Sequence, residues 1–108
     1  MLKKVFDLLL ININIYNLRV TNYMKCVNDH PEDKKHIDLL MDRMDLQYKK
    51  LIGMKQMYHI TTGNEIVFIH TNNNYYSHIE AVSHYNFKED VEFINTHYTL
   101  EDMKNYKD

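Results

Sequence analysis

The stretch EIVFIHTNNNYYSHIEAVSHY, residues 65–85, decides how this chain folds. Glu65–His70 and Tyr75–Tyr85 are both rich in β-branched and aromatic residues, which favour strands. Between them, Asn72, Asn73 and Asn74 tolerate left-handed backbone, so the segment reads as two strands joined by a turn. Strand side chains alternate, which puts Tyr76, His78, Glu80, Val82 and His84 on one face of the second strand. Tyr75, Ile79, Ala81 and Tyr85 share the other face, and this set is expected to enter the core. The first set is then a solvent-facing surface carrying the asparagine tip. Tyrosine offers large contact area at low entropy cost, and asparagine offers adaptable hydrogen bonds. Asn72, Asn73, Asn74, Tyr76, His78, Glu80 and His84 are therefore the candidate binding residues.

Upstream, KQMYHIT (55–61) reads as a preceding strand and Thr62–Asn64 as its turn, completing a three-stranded antiparallel meander. Downstream, Asn86 stands three residues before Glu89 and opens a helix over NFKEDVEFI (86–94). TLED (99–102) repeats the capping signature for a short last helix.

The first half of the chain is helical in pattern. Leu2, Phe6, Leu9, Ile13, Tyr16, Val20, Tyr23 and Val27 follow a heptad seam of alternating four- and three-residue steps. LININIY alternates as a strand would, but over only about seven residues, so the seam decides for a helix over 3–26. Asn12, Asn14 and Asn17 weaken that helix intrinsically, and it requires a packing partner. NDHPED then breaks the chain, with Asp29 and Glu32 at capping-box spacing and Pro31 suited to a first turn. Ile37, Leu40, Met41, Met44, Tyr48, Leu51 and Ile52 form the apolar face of a second helix, which Gly53 is expected to end. The two make a helical hairpin. The fold class is α+β: an N-terminal helical hairpin packed with a three-stranded antiparallel β-meander and one or two short C-terminal helices. Residues 1–108 are expected to form a single domain.

A 108-residue chain with 44% apolar residues builds a thin core. The seam on 3–26 exceeds what one partner helix of about 22 residues covers, so a homo-oligomer is expected. Formal charge is −2, with 13 basic residues against 15 acidic, and eleven of the 13 are lysines. That balance disfavours backbone-driven nucleic-acid binding. The single cysteine, Cys26, fits a reducing compartment. Asp7 and the asparagines interrupt the N-terminal apolar run, so neither a signal peptide nor a membrane span is expected, and the location should be cytoplasmic. Abundant Asn, Ile, Lys and Tyr is typical of low-GC coding sequences, as in viruses, phages and mobile elements.

Three chemistries compete with plain binding. His78, Glu80 and His84 offer N, O and N donors, but His78 and His84 stand about 20 Å apart on an extended strand, too far for one ion. No metal or cofactor is assigned. His59-Ile60-Thr61 and His97-Tyr98-Thr99 resemble the paired H-x-T triplets of the 2H phosphoesterases, a resemblance of six residues. It implies His59 and His97 as general acid and base, with Thr61 and Thr99 binding phosphate oxygens. The family carries both triplets on strands, whereas His97 falls here at the end of an expected helix. A dimeric nucleic-acid-binding regulator is the third alternative. The reading that best fits the residues is a small binding or regulatory protein, an inhibitor or adaptor that occupies a surface of a larger protein and self-associates through its helices.

Overall fold

The computed structural model describes residues 2–87 and 93–107. Helix α1 spans Leu2–Asp29 and α2 spans Lys34–Thr62; strands β1 (Glu65–His70), β2 (Ile79–Phe87) and β3 (Phe93–Thr99) follow, then the short helix α3 (Leu100–Lys104). The fold is α+β: two long helices, an open antiparallel sheet ordered β1-β2-β3, and a closing helix.

The heptad seam is the buried side of α1: Phe6, Leu9, Ile13, Tyr16 and Val20 are fully inside, and Leu2 and Tyr23 pack at its ends. It is covered within the chain, by α2, α3 and the β2 segment. The excess apolar surface expected of this seam therefore does not exist on that side of the helix. Two of the asparagines that weaken α1 make tertiary bonds. Asn12 donates to the Leu8 carbonyl at 2.9 Å and accepts from Gln47 of α2 at 3.1 Å. Asn17 pairs with both backbone groups of Ile79, donating at 3.0 Å and accepting at 2.8 Å.

The turn falls later than expected. Asp33, not Asp29, caps α2 by accepting from the His36 amide at 3.3 Å. Helix α2 then runs through Gly53 instead of ending there, and KQMYHIT is helix instead of strand. Glycine inside a helix costs about 1 kcal/mol relative to alanine, a modest sum beside burial of a large side chain. Leu51 and Tyr58, one heptad apart, are both buried, with Met54 packed beside them, and continuing the helix is what places them there. Gly63 ends it instead, with φ at 76° and its amide on the His59 carbonyl at 2.8 Å.

The third strand is consequently β3. In the expected helix 86–94, Asn86 and Phe87 close β2, Phe93 and Ile94 open β3, and residues 88–92 lie outside the described residues. The TLED signature is a complete capping box: Thr99 Oγ1 accepts from the Asp102 amide at 3.1 Å, and Asp102 accepts from the Thr99 amide at 3.0 Å. Those bonds hold the Asp102 carboxyl below its ordinary pKa.

Strand β2 begins at Ile79, not at Tyr75, and its facing is the reverse of the expected one from residue 81 onward. Its register against β1 slips between Ile69 and His70, so that Ile69 pairs with Ala81 but His70 with Ile79. Glu80 is the extra residue of a β-bulge, and the period of two is broken there. Ile79, Val82 and His84 thus all point at the helices, and all three are buried. Ile66 and Phe68 join them from β1 and Tyr98 from β3. The opposite face carries Ala81 and Ser83, both also buried, Ala81 as expected, between Val67 and Ile69 on one side and His97 and Thr99 on the other.

Candidate recognition loop

Residues 71–78 connect β1 to β2 as a structured loop. The Thr71 amide donates to the His78 carbonyl at 2.9 Å, and Asn73 takes the left-handed conformation with φ at 50°. Asparagine tolerates that region better than most residues, which gives the triple-asparagine tip its local reason. Asn74 holds the next turn: its side chain accepts from the Tyr76 amide at 3.1 Å, and its carbonyl accepts from the Ser77 amide at 3.0 Å.

Anchorage comes from the helices. The fully buried Tyr16 hydroxyl donates to the carbonyls of Tyr75 and of Ser77, the latter at 3.2 Å. Burial, then the neighbouring Tyr48, Asp45 and Tyr76, push this phenol far above its ordinary pKa, so it stays a neutral donor. The Ser77 carbonyl also accepts from His70 Nδ1 at 3.0 Å. That assigns the proton of neutral His70 to Nδ1 and leaves Nε2 to accept from Tyr48 at 3.3 Å. His78 bonds Thr21 Oγ1 through Nε2 at 2.8 Å. Tyr75 donates to Asp45 at 2.7 Å.

A chain of rings backs the loop. Tyr16 meets Tyr48 at 5.3 Å, Tyr48 meets Tyr75 at 4.6 Å, Tyr75 meets Tyr76 at 4.8 Å, and Tyr76 meets Tyr23 at 5.9 Å. These are edge and tilted contacts of the kind aromatic quadrupoles favour. The result is a polar and aromatic projection with a defined shape. Asn72, Asn73 and Asn74 are exposed, and Tyr75 and Tyr76 keep 36% and 38% of their surface open.

The seven residues singled out from the sequence are thus divided. Asn72, Asn73, Asn74 and Tyr76 share the loop; His78 sits half-buried at its end, and Glu80 is exposed on the bulge. His84 belongs elsewhere: it is 5% exposed, on the helix side of the sheet, bonded to the Tyr58 hydroxyl at 2.6 Å. Burial pulls its pKa below the ordinary value, so the neutral ring is favoured and the phenol donates to Nε2. Sequence reading missed Tyr16, Asn17, Tyr48 and Asp45, the residues that hold the loop. Helical spacing gave them a role as core or solvated positions, and nothing local marks a cross-chain hydrogen bond.

The two H-x-T triplets are placed on unlike elements. His59 and Thr61 lie in the last turns of α2, both exposed, with His59 Nδ1 on the Asn64 carbonyl at 3.3 Å. His97 is on β3 opposite Ser83, and the Thr99 hydroxyl is the α3 cap. Only one triplet is on a strand. Cys26 is buried, and its thiol is pushed above the ordinary pKa by burial and then by Asp33, Glu32 and Asp29, the opposite of an activated nucleophile. Among the described residues, no three His, Cys, Asp or Glu side chains come together as metal ligands, and no helix is long and apolar enough to cross a membrane.

A second surface stands on the helices. Leu8, Ile11, Ile15 and Leu18 of α1 are exposed on the side opposite its buried seam, as are Leu39, Leu46, Met57 and Ile60 of α2. At the open end of the hairpin Leu8 and Met57 border an apolar groove of about 640 Å³ floored by Val5, Leu9, Gly53, Met54 and Tyr58. No family model, curated protein or solved structure matches the chain.

Proposed function

We propose that this is a small binding protein that occupies a surface of a larger protein through loop 71–78, as an inhibitor or adaptor, and does so in a self-associated form. The observation that carries the reading is the loop's double character. Its tip is exposed and rich in groups suited to recognition, yet Tyr16 and His70 hold its backbone at Tyr75 and Ser77, Thr21 holds the His78 ring, and Asn17 fixes Ile79 where the loop enters β2. Binding residues on a loop held by a rigid scaffold lose little conformational entropy on contact. Tyr75 and Tyr76 are the anchors, since a few aromatic side chains carry most of an interface's energy. Asn72 and Asn73 supply the surrounding amide bonds.

The test is quantitative capture from cells that make the protein, comparing wild type with Tyr76→Ala and Asn72→Ala. Both variants should retain the wild-type fold by circular dichroism and lose the captured partner. An unchanged set of captured proteins would refute the loop as the contact surface.

A further inference from the structure

We infer that the outer face of the helical hairpin is a two-fold interface that takes a second copy of this chain, helices antiparallel, α1 against α1 and α2 against α2. The inference refines the self-association part of the reading above and is independent of what loop 71–78 binds.

The first ground is an internal symmetry of α1. Its exposed stripe reads Leu8, Ile11, Ile15, Leu18, with steps of three, four and three residues. The stripe is the same in either direction, with its centre at Ile13. Antiparallel packing about that centre sets Leu8 beside Leu18 of the second copy and Ile11 beside Ile15, the layering of an antiparallel coiled coil. Lys4 then falls beside Asn22, so no like charges meet along the seam.

The second ground is that α2 obeys the same axis. The Asn12–Gln47 contact puts Ile13 of α1 level with Leu46 of α2. A two-fold axis there makes Leu46, 71% exposed in the single chain, its own partner. One heptad away, exposed Leu39 falls on Gly53 of the second copy. Gly53 is in the floor of the apolar groove, and a Cβ built on it meets nothing within 4 Å. The glycine that α2 tolerates in mid-helix is thus the notch for a leucine. Between these layers Asp42 stands level with Lys50 of the second copy, twice by symmetry, and both side chains are exposed in the single chain. The same axis sets exposed Arg43 level with Lys49 of the second copy, a like-charged pair, so Asp42 with Lys50 is the charge pair that favours this register.

The third ground is size. Helices of 28 and 29 residues are about 42 Å long, and two of them side by side at 8–10 Å spacing present a face of roughly 800 Å². That is about the area each partner contributes to a stable interface.

The test is sedimentation equilibrium of the full chain, followed by cross-linking. Wild type should be a dimer at 50 µM, and Ile15→Glu should weaken it at least a hundredfold, because a carboxylate would be buried in the seam. Asp42→Lys should weaken it, and Asp42→Lys combined with Lys50→Asp should restore it. In a Cys26→Ser background, Leu46→Cys should oxidise to a disulfide-linked dimer. Leu39→Cys should not, because that residue and its own symmetry mate are separated by about 21 Å along the helices. A monomeric wild type at 50 µM overturns the interface, whatever the loop binds. A dimer in which Leu39→Cys cross-links and Leu46→Cys does not overturns the axis. Loop variants that lose partner capture and remain dimeric support the interface, because the dimer then forms without the loop's contact surface.

Discussion

Tyr16→Phe isolates the part of the molecule on which loop recognition depends. The ring is fully buried and stays in place, so no cavity opens; only the hydroxyl is removed. That hydroxyl serves two backbone carbonyls, Tyr75 and Ser77, and the Ser77 carbonyl keeps a bond from His70 at 3.0 Å. A neutral hydrogen bond is worth about 0.5–1.5 kcal/mol net, and a buried acceptor left unmet costs about 1–3 kcal/mol. The Tyr75 carbonyl is only part-buried, so water meets some of its need. The expected loss is about 2 kcal/mol, which for a domain of this size lowers Tm by roughly 10 °C. Tyr75→Phe is the control: its bond to Asp45 is exposed, and its removal should cost under about 1 kcal/mol. Thermal melts followed by circular dichroism measure both changes. Amide exchange supplies the local readout, with Thr71 and Ser77 exchanging faster in Tyr16→Phe than in Tyr75→Phe. A Tyr16→Phe protein within about 0.5 kcal/mol of wild type and with unchanged exchange in 71–78 would show that the phenol does not hold the loop.

Met44→Asp should destabilise by several kcal/mol, since Met44 is fully buried at the centre of the α2 inner face and the carboxylate would have no partner; a chemical-denaturation midpoint equal to wild type would exclude that packing. His84 makes stability depend on pH. Its folded pKa lies below the unfolded value near 6.5, so the unfolded state binds more protons, and stability is full above about pH 6.5 and falls as pH drops through the folded pKa. Melts from pH 7.5 down to 5 should show this slope and should show it reduced in His84→Gln; equal slopes would refute the assignment. Because His84 is in the core, pairing Tyr76→Ala with His84→Ala should cost more than about 3 kcal/mol, whereas Tyr76→Ala alone should stay within about 1 kcal/mol on thermal melting. Gly53→Ala should raise helix stability by about 0.5–1 kcal/mol at concentrations too low for self-association, as open space surrounds the position; a lower Tm would mean that the groove is closed.

Where local physics is sufficient, the elements could be read along the chain. The four-three spacing from Leu2 to Val27 is a property of a single helix and read correctly against the short alternation of LININIY. Glu65–His70 was legible as a strand, and Thr99 with Asp102 as a capping box, because caps and strand patterns act over a few residues. Of the candidate site, the Asn72–Asn74 tip and Tyr76 were legible for the same reason. Tertiary structure decided the rest. Whether Gly53 or Gly63 ends α2 depends on Tyr58 having a core to enter, and the His84 end of that core is 26 residues further along the chain. With α2 lengthened, KQMYHIT was unavailable to the sheet, and Phe93–Thr99 became its third strand. The bulge at Glu80 is a second such decision. One added residue reverses the facing of everything after it, and what selects the register is burial of Val82 and His84 against Phe6 and Tyr58. Alternation can name the two faces of a strand. Which face is inside is chosen by the elements it meets.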